Sequence, residues 1–249
     1  MLPLVALYLP SMKKKIACII PARLASTRFP QKILAKLGSK TLLEHVWDQV
    51  KSCPQFDEAY FAIDSQEAAS ILDAIKAPYY MTSPDLPNGT HRIIASLDHS
   101  KTTADIIVNW QADEPFIHKE MIDDLLQGAE KEGDIWTLKK EAKLEEIPSP
   151  NVVKVVSDRF QKALYFSRSP IPFDRTRTSP PIYKHIGLYA YSRRALSLIK
   201  NFPTTPLAEA ESLEQLQFLE NGLSIYVYPT IYETQGIDTP EDLASSIFI

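Results

Sequence analysis

The stretch from Ile16 to Lys32 reads IACIIPARLASTRFPQK. Its apolar run, Ile16 to Ile20, stops at Pro21, and Arg23, Arg28 and Lys32 follow close behind. An apolar run of this length ended by proline predicts a buried strand feeding a loop. Loops at the ends of such strands are where open α/β sheets bind ligands. Three cations there, beside the free N–H groups of a tight turn, suit a polyanion such as a nucleoside triphosphate. Taken alone, the same residues also describe a solvated basic loop.

The surrounding chain narrows the choice. It has 249 residues, enough to bury a large core, with 45% hydrophobic and 23% charged residues. A net charge of −4 gives no general attraction to nucleic acid or to a membrane surface. The basic cluster is therefore local, which favours a small anionic ligand. Cys18 and Cys53 lack metal-ligand spacing and read as reduced thiols of a cytoplasmic protein. The opening MLPLVALYLPS is apolar, but its cations, Lys13 to Lys15, come after it, the reverse of a signal peptide. It is also too short to span a bilayer, which takes about 20 residues. Residues 1–13 read as an N-terminal extension, disordered or not native; Met12 reads as a natural start, and the eleven residues before it as dispensable.

Beyond the basic loop the first half alternates. Helices are predicted over Thr41 to Lys51, Gln66 to Ile75, Gly89 to Asp98 and Lys119 to Glu130. Strands are predicted over Ala59 to Ile63, Pro78 to Met81 and Asp105 to Trp110. This rhythm predicts an α/β fold with a mostly parallel sheet covered on both faces. The second half departs from it. Val152 to Val156 and Ala163 to Phe166 read as strands of a hairpin or insertion, followed by a Pro- and Arg-rich loop from Ser167 to Pro181. His185 to Tyr191 reads as a strand or a subunit contact, Glu209 to Glu220 as one helix, and Ile225 to Tyr228 as a late strand.

Five further sets of residues carry chemistry. Asp113 follows a buried strand in NWQADEPF, well placed to hold Mg²⁺ against phosphate oxygens or to cap the turn before Pro115. Glu114 beside it points elsewhere if the segment stays extended. In GIDTPEDL, Thr239, Pro240 and Asp242 make a helix start, which leaves Asp238 outside as a second candidate metal ligand. Asn88, Gly89 and Arg92 open a helix whose N-terminus favours anions or carbonyl groups, although NGT also describes a plain turn. Arg168, Arg175 and His185 suit an anionic acceptor, or form a mobile basic loop. Glu214 and Gln215 could bond acceptor hydroxyls or lie on the exposed face of a helix.

Several of these motifs together closely resemble the 3-deoxy-manno-octulosonate cytidylyltransferase family. They are IIPAR-ASTR-P-K (Ile19 to Lys32), NWQADEP (Asn109 to Pro115), NVVKVV with ALYFSRSPIPFDR (Asn151 to Arg175), HIGLYAY (His185 to Tyr191), SLEQL (Ser212 to Leu216) and GIDTPEDL (Gly236 to Leu243). The resemblance covers residues 14 to 245. It implies a nucleotide-diphospho-sugar transferase-like fold in one domain, residues 14–249, with an insertion carrying sugar-binding and dimer elements. It also implies a homodimer, Mg²⁺ dependence, and transfer of CMP from CTP to 3-deoxy-manno-octulosonate (Kdo), a step toward lipopolysaccharide.

By the same resemblance, Arg23, Arg28 and Lys32 hold the triphosphate, and Pro21, Ala22, Asn88, Gly89, Arg92 and Gln111 complete the nucleotide site. Asp113 and Asp238 bind the metal. Arg168, Arg175, His185, Tyr189, Glu214 and Gln215 face the sugar. The chain departs from the family pattern at Gln31, Asn88, His91 and Ala112, where glycine, serine, glutamate and glycine are usual. The implied reaction is in-line attack by the anomeric hydroxyl of Kdo on the α-phosphorus of CTP. Rival readings are a same-fold enzyme for sialic acid or 8-amino-Kdo, and a non-catalytic nucleotide-binding homologue.

Overall fold

In the computed structural model, which describes residues 13–26, 28–129 and 133–246, strand β1 (Ile16–Ala22) lies at the centre of a sheet, and only its first residue is not buried. The elements that follow are β2 (Lys36–Leu37), β3 (Lys40–Thr41), α1 (Leu42–Lys51), β4 (Glu58–Ile63), α2 (Gln66–Ala74), β5 (Tyr79–Met81), α3 (Gly89–Ser100) and β6 (Ile106–Asn109). Then come α4 (Lys119–Ala129), β7 (Ile135–Glu141), β8 (Lys154–Ser157), β9 (Ala163–Ser167) and β10 (Tyr183–Ser192). The chain closes with α5 (Arg193–Ile199), α6 (Pro206–Glu211), α7 (Glu214–Glu220), β11 (Ile225–Pro229) and α8 (Pro240–Ser245). Residues 1–12, and with them nearly all of the predicted extension, lie outside the described residues, as does Thr27 of the basic motif.

The main sheet runs β11-β7-β10-β6-β1-β4-β5. β1 pairs in parallel with β4, Ile20 opposite Phe61, and with β6, Cys18 opposite Val108. Only β10 runs against its neighbours in this path. Alternation along β1 supplies both faces of the core. Cys18 and Ile20 pack with Val46, Leu72 and Met121 of α1, α2 and α4, whereas Ile19 packs with Ile93, Leu196 and Leu216 of α3, α5 and α7. β1 therefore sits where the chain crosses from one side of the sheet to the other, and its C-terminal end opens on the crevice that such a crossing leaves.

β10 joins the two halves. Its last residues pair with β6 in the main sheet, and its first, Tyr183 and Lys184, pair with β8, which carries β9. Both edges of β10 are thus engaged within the chain, so of the two readings of His185 to Tyr191 the structure shows the strand. The single helix predicted over Glu209 to Glu220 is a correction. Ser212 takes φ 51°, in the left-handed region, and divides it into α6 and α7. β7 and α5 had no counterpart in the sequence reading. Cys18 and Cys53 are free and buried.

Candidate active site

Three strand ends build the first cleft. After β1, the N–H of Leu24 donates to Asp64 Oδ1 at 2.9 Å, which ties the basic loop to the end of β4. The loop then turns at Gln31, whose φ of 55° puts a non-glycine residue in the left-handed region where glycine is usual. That turn carries Lys32 inward, its side chain only 10% exposed. Lys32 Nζ donates to Asp113 Oδ2 at 2.5 Å and to Asp238 Oδ1 at 2.9 Å. Arg28 reaches the other oxygen of Asp238 at 2.9 Å.

Asp113 stands in a turn after β6, closed by the Glu114 N–H on Gln111 O and the Trp110 indole on Glu114 O. Ile237 N–H donates to Asp113 O at 2.9 Å and draws the approach to α8 against this turn. Asp238 is then fixed by the capping box of α8, where Asp242 Oδ2 accepts from the N–H groups of both Asp238 and Thr239. Two carboxylates distant in sequence meet around one cation.

Charge follows from this geometry. Burial acts to lower the Lys32 ammonium, but Asp113 and Asp238 outweigh it and hold its pKa above the ordinary value. For Asp238, burial raises, and Lys32 with Arg28 outweighs it to keep the carboxyl ionised. The extended chain assumed for Glu114 is not found: the segment turns. Glu114 lines the larger of the two clefts while Asp113 lines the smaller, and its Oε2 is buried and, among the described residues, without a hydrogen-bond partner. Burial pushes its pKa to about 8, with both aspartates adding to the rise. Its sequence signal was the pair DE itself, once the turn is allowed for.

A cavity of about 370 Å³ is lined by Pro21, Arg23, Arg28 and Lys32 on one side and by Asn88, Gly89, Gln111, Asp113 and Asp238 on the other. Gly89 lets the wall come close, since a Cβ there would crowd Pro21 Cγ at 3.2 Å and touch Gln111 Oε1 at 3.4 Å. Asn88 caps α3 by accepting from the His91 N–H at 2.9 Å. Two predicted nucleotide residues stand differently. Ala22 faces the core. Arg92 borders the cavity, but its guanidinium is held by Asp64 at 3.0 Å and by Thr82 Oγ1 at 2.5 Å, and the Arg92–Asp64 pair is almost wholly buried.

A second cleft, about 950 Å³, shares Arg28 and Asp238 with the first. Glu114, Pro150, Asn151, Val153, Arg168 and Ser212 line it. Of the predicted sugar contacts only Arg168 does so, and three of its donors go to the carbonyls of Pro150, Glu211 and Ser212. Arg175 is exposed on the loop after β9. His185 and Tyr189 pack inside, His185 Nε2 at 3.0 Å from Thr137 Oγ1 and its ring edge-on to Phe166. Burial pushes His185 down to about 3, so it is neutral. Glu214 accepts from Thr90 Oγ1 at 2.9 Å beneath the start of α3, and burial raises it to about 7. Gln215 is buried next to it. Neither cleft takes His185, Tyr189, Glu214 or Gln215 into its lining.

The residues present fit a divalent cation. Asp113 and Asp238 offer hard carboxylate oxygens and already share one cationic group, Lys32 Nζ. Among the described residues no cluster of three or more His, Cys, Asp or Glu could hold a metal, so phosphate oxygens of a substrate would complete its shell.

Comparison with known proteins adds the following. The Cytidylyltransferase family model matches residues 17–225. A 3-deoxy-manno-octulosonate cytidylyltransferase of Thermodesulfovibrio yellowstonii is 44% identical over 240 residues, covering 91% of this chain and 94% of that protein. One of Solibacter usitatus is 44% identical over 238 residues, covering 93% of each. The solved structure of CMP:2-keto-3-deoxy-manno-octonic acid synthetase complexed with CTP matches with a TM-score of 0.90 and 34% identity, over 94% of this chain and 98% of that one. An inositol-1-phosphate CTP transferase from T. maritima, 13% identical with a TM-score of 0.66, shares the fold alone.

Proposed function

The chain belongs to the 3-deoxy-manno-octulosonate cytidylyltransferase family, and on that premise we propose that it transfers a cytidylyl group from CTP to Kdo, releasing pyrophosphate. The observation that carries this reading is the meeting of two clefts at Arg28 and Asp238, with Lys32 and Asp113 alongside. A nucleotide in the smaller cleft and a sugar acid in the larger would bring the α-phosphate and the attacking hydroxyl together at that junction. The new bond joins the anomeric oxygen to the α-phosphorus as the bond to the departing pyrophosphate breaks.

Arg23, Arg28 and Lys32 would bear the phosphate charge, so catalysis is mainly positioning and electrostatics. Mg²⁺, held by Asp113 and Asp238, would polarise the phosphate and lower the pKa of the attacking hydroxyl. Neutral His185, held by Thr137, moves no proton. The reading includes a homodimer formed through the loop before β10, where Phe173 is 88% exposed. It also includes a cytoplasmic setting, which suits two free thiols, and a product that supplies lipopolysaccharide assembly. No helix among the described residues is long and apolar enough to cross a membrane.

Pyrophosphate release from CTP, assayed with Mg²⁺ across Kdo, 8-amino-Kdo and sialic acid, tests the reading. Release with Kdo well above the others is expected. Release with another acid alone would reassign the acceptor, and none with any acid would reduce the chain to a nucleotide binder.

A further inference from the structure

Lys154, the first residue of β8, is fully buried, yet among the described residues no carboxylate lies within hydrogen-bonding distance of its ammonium. Its three N–H donors instead go to three backbone carbonyls: Ser149 at 2.8 Å, Val152 at 2.6 Å and Arg168 at 2.5 Å. An ammonium has three donors, so this one is fully satisfied. Burial pulls its pKa below the ordinary lysine value, with Glu211 opposing.

One of the three carbonyls belongs to Arg168, which lines the larger cleft; the other two, of Ser149 and Val152, are next in sequence to Pro150, Asn151 and Val153, which also line it. The clasp continues outward. Glu211 accepts from the Arg168 N–H at 2.8 Å and from Ser167 Oγ at 2.7 Å, and the Arg168 guanidinium donates to the carbonyls of Pro150, Glu211 and Ser212. Among the described residues these bonds use three of the five Arg168 guanidinium donors, on a residue that lines the cleft.

We infer that Lys154 is a positioning residue for the acceptor: its ammonium fixes the 149–153 segment against the end of β9, and through Arg168 sets the width and donor geometry of the acceptor cleft. The inference rests on the reading of that cleft as the sugar-acid site. It concerns a side chain that touches no substrate. The smaller cleft has no wall in the clasp, so CTP binding is independent of it.

Steady-state kinetics of the full chain, with each substrate varied in turn, test this on Lys154→Met and on Glu211→Ala. Met keeps an unbranched apolar stem and removes the ammonium from all three carbonyls, of which Ser149 O keeps the Val152 N–H. The KM for Kdo should rise about tenfold or more in Lys154→Met, with the KM for CTP held within about twofold. Glu211→Ala, which cuts the outer end of the clasp, should move the same constant in the same direction by less, and decides the matter if Lys154→Met does not fold. Unchanged KM for Kdo, or KM values for Kdo and CTP that rise together, overturns the inference. A wild-type chain that releases no pyrophosphate with any sugar acid overturns the functional reading beneath it, and the two failures are thereby told apart.

Discussion

In the smaller cleft, Lys32 and Arg28 turn their charges toward Asp113 and Asp238. In the larger, Arg168 and Lys154 turn theirs toward backbone carbonyls. A cation paired with a carboxylate at the edge of a cavity can exchange that partner for a phosphate oxygen at little cost. A buried cation that satisfies carbonyls cannot leave without stranding them. The first cleft therefore has charges that can be redeployed on a ligand, and the second has charges that fix its shape. On the proposed function, the first would supply charge to the phosphates and the second would select the acceptor, with the reaction at their junction.

Arg92 is the exception on the nucleotide side, and it offers the largest test of the contrast. Its guanidinium is 2% exposed and its partner Asp64 5%. Arg92→Met should cost stability on the order of 3–5 kcal/mol, because it leaves a buried carboxylate unpaired. Urea denaturation measures this. A variant with an unchanged midpoint and weakened CTP binding would move Arg92 into the class of exchangeable cations.

Glu214 sits where the halves press together and tests the contrast through pH. Its carboxyl is raised from 4.5 to about 7 in the folded chain. Between those values the folded state holds a proton that the unfolded state has lost, so stability falls as pH rises through this window. The full loss is roughly 3 kcal/mol. Glu214→Gln should remove that slope, leaving the variant relatively more stable above pH 7. His185 acts with the opposite sign, since its folded value of about 3 against 6.5 makes stability fall as pH drops through that interval. Denaturant midpoints from pH 5 to 9 for wild type and variant decide it. Parallel curves would mean that Glu214 is ionised throughout.

The smallest effect is expected at Thr239. Thr239→Ala removes the cap of α8 and should cost about 1 kcal/mol. Because the same box holds the Asp238 backbone, turnover should fall as well, by less than on loss of the Asp238 carboxylate. Thermal melts with initial rates measure both. A lowered melting temperature with full turnover would show that Asp238 is placed by Arg28 and Lys32 alone.

How much of this was legible in the sequence follows the same division. Arg23, Arg28, Lys32 and Asp113 sit just past the ends of apolar runs, so a strand reading places them at once, and TPED announces the helix that leaves Asp238 outside. The Asp64–Arg92 pair was not legible, because ion pairing between distant residues leaves no periodic trace. Neither was the break at Ser212, since apolar spacing continues through it and only the backbone reverses. The turn that holds Asp113 and Glu114 was not legible either, and the expectation for Glu114 assumes extended chain there. Nothing in the sequence sets Lys154 apart from any other lysine in a strand. Its burial depends on carbonyls, which every residue has and no sequence pattern marks.

The most direct measurement is a double-mutant cycle on pyrophosphate release at Asp113 and Asp238. Asp113→Asn and Asp238→Asn should each fold normally and each lower turnover by about 10²-fold or more, on the order of 3 kcal/mol. If both serve one cation at the junction of the clefts, the double variant should be little worse than the worse single one. Independent losses that multiply, each about tenfold or smaller and with unchanged Mg²⁺ dependence, would contradict a shared site and leave the two carboxylates as anchors for Lys32 and Arg28.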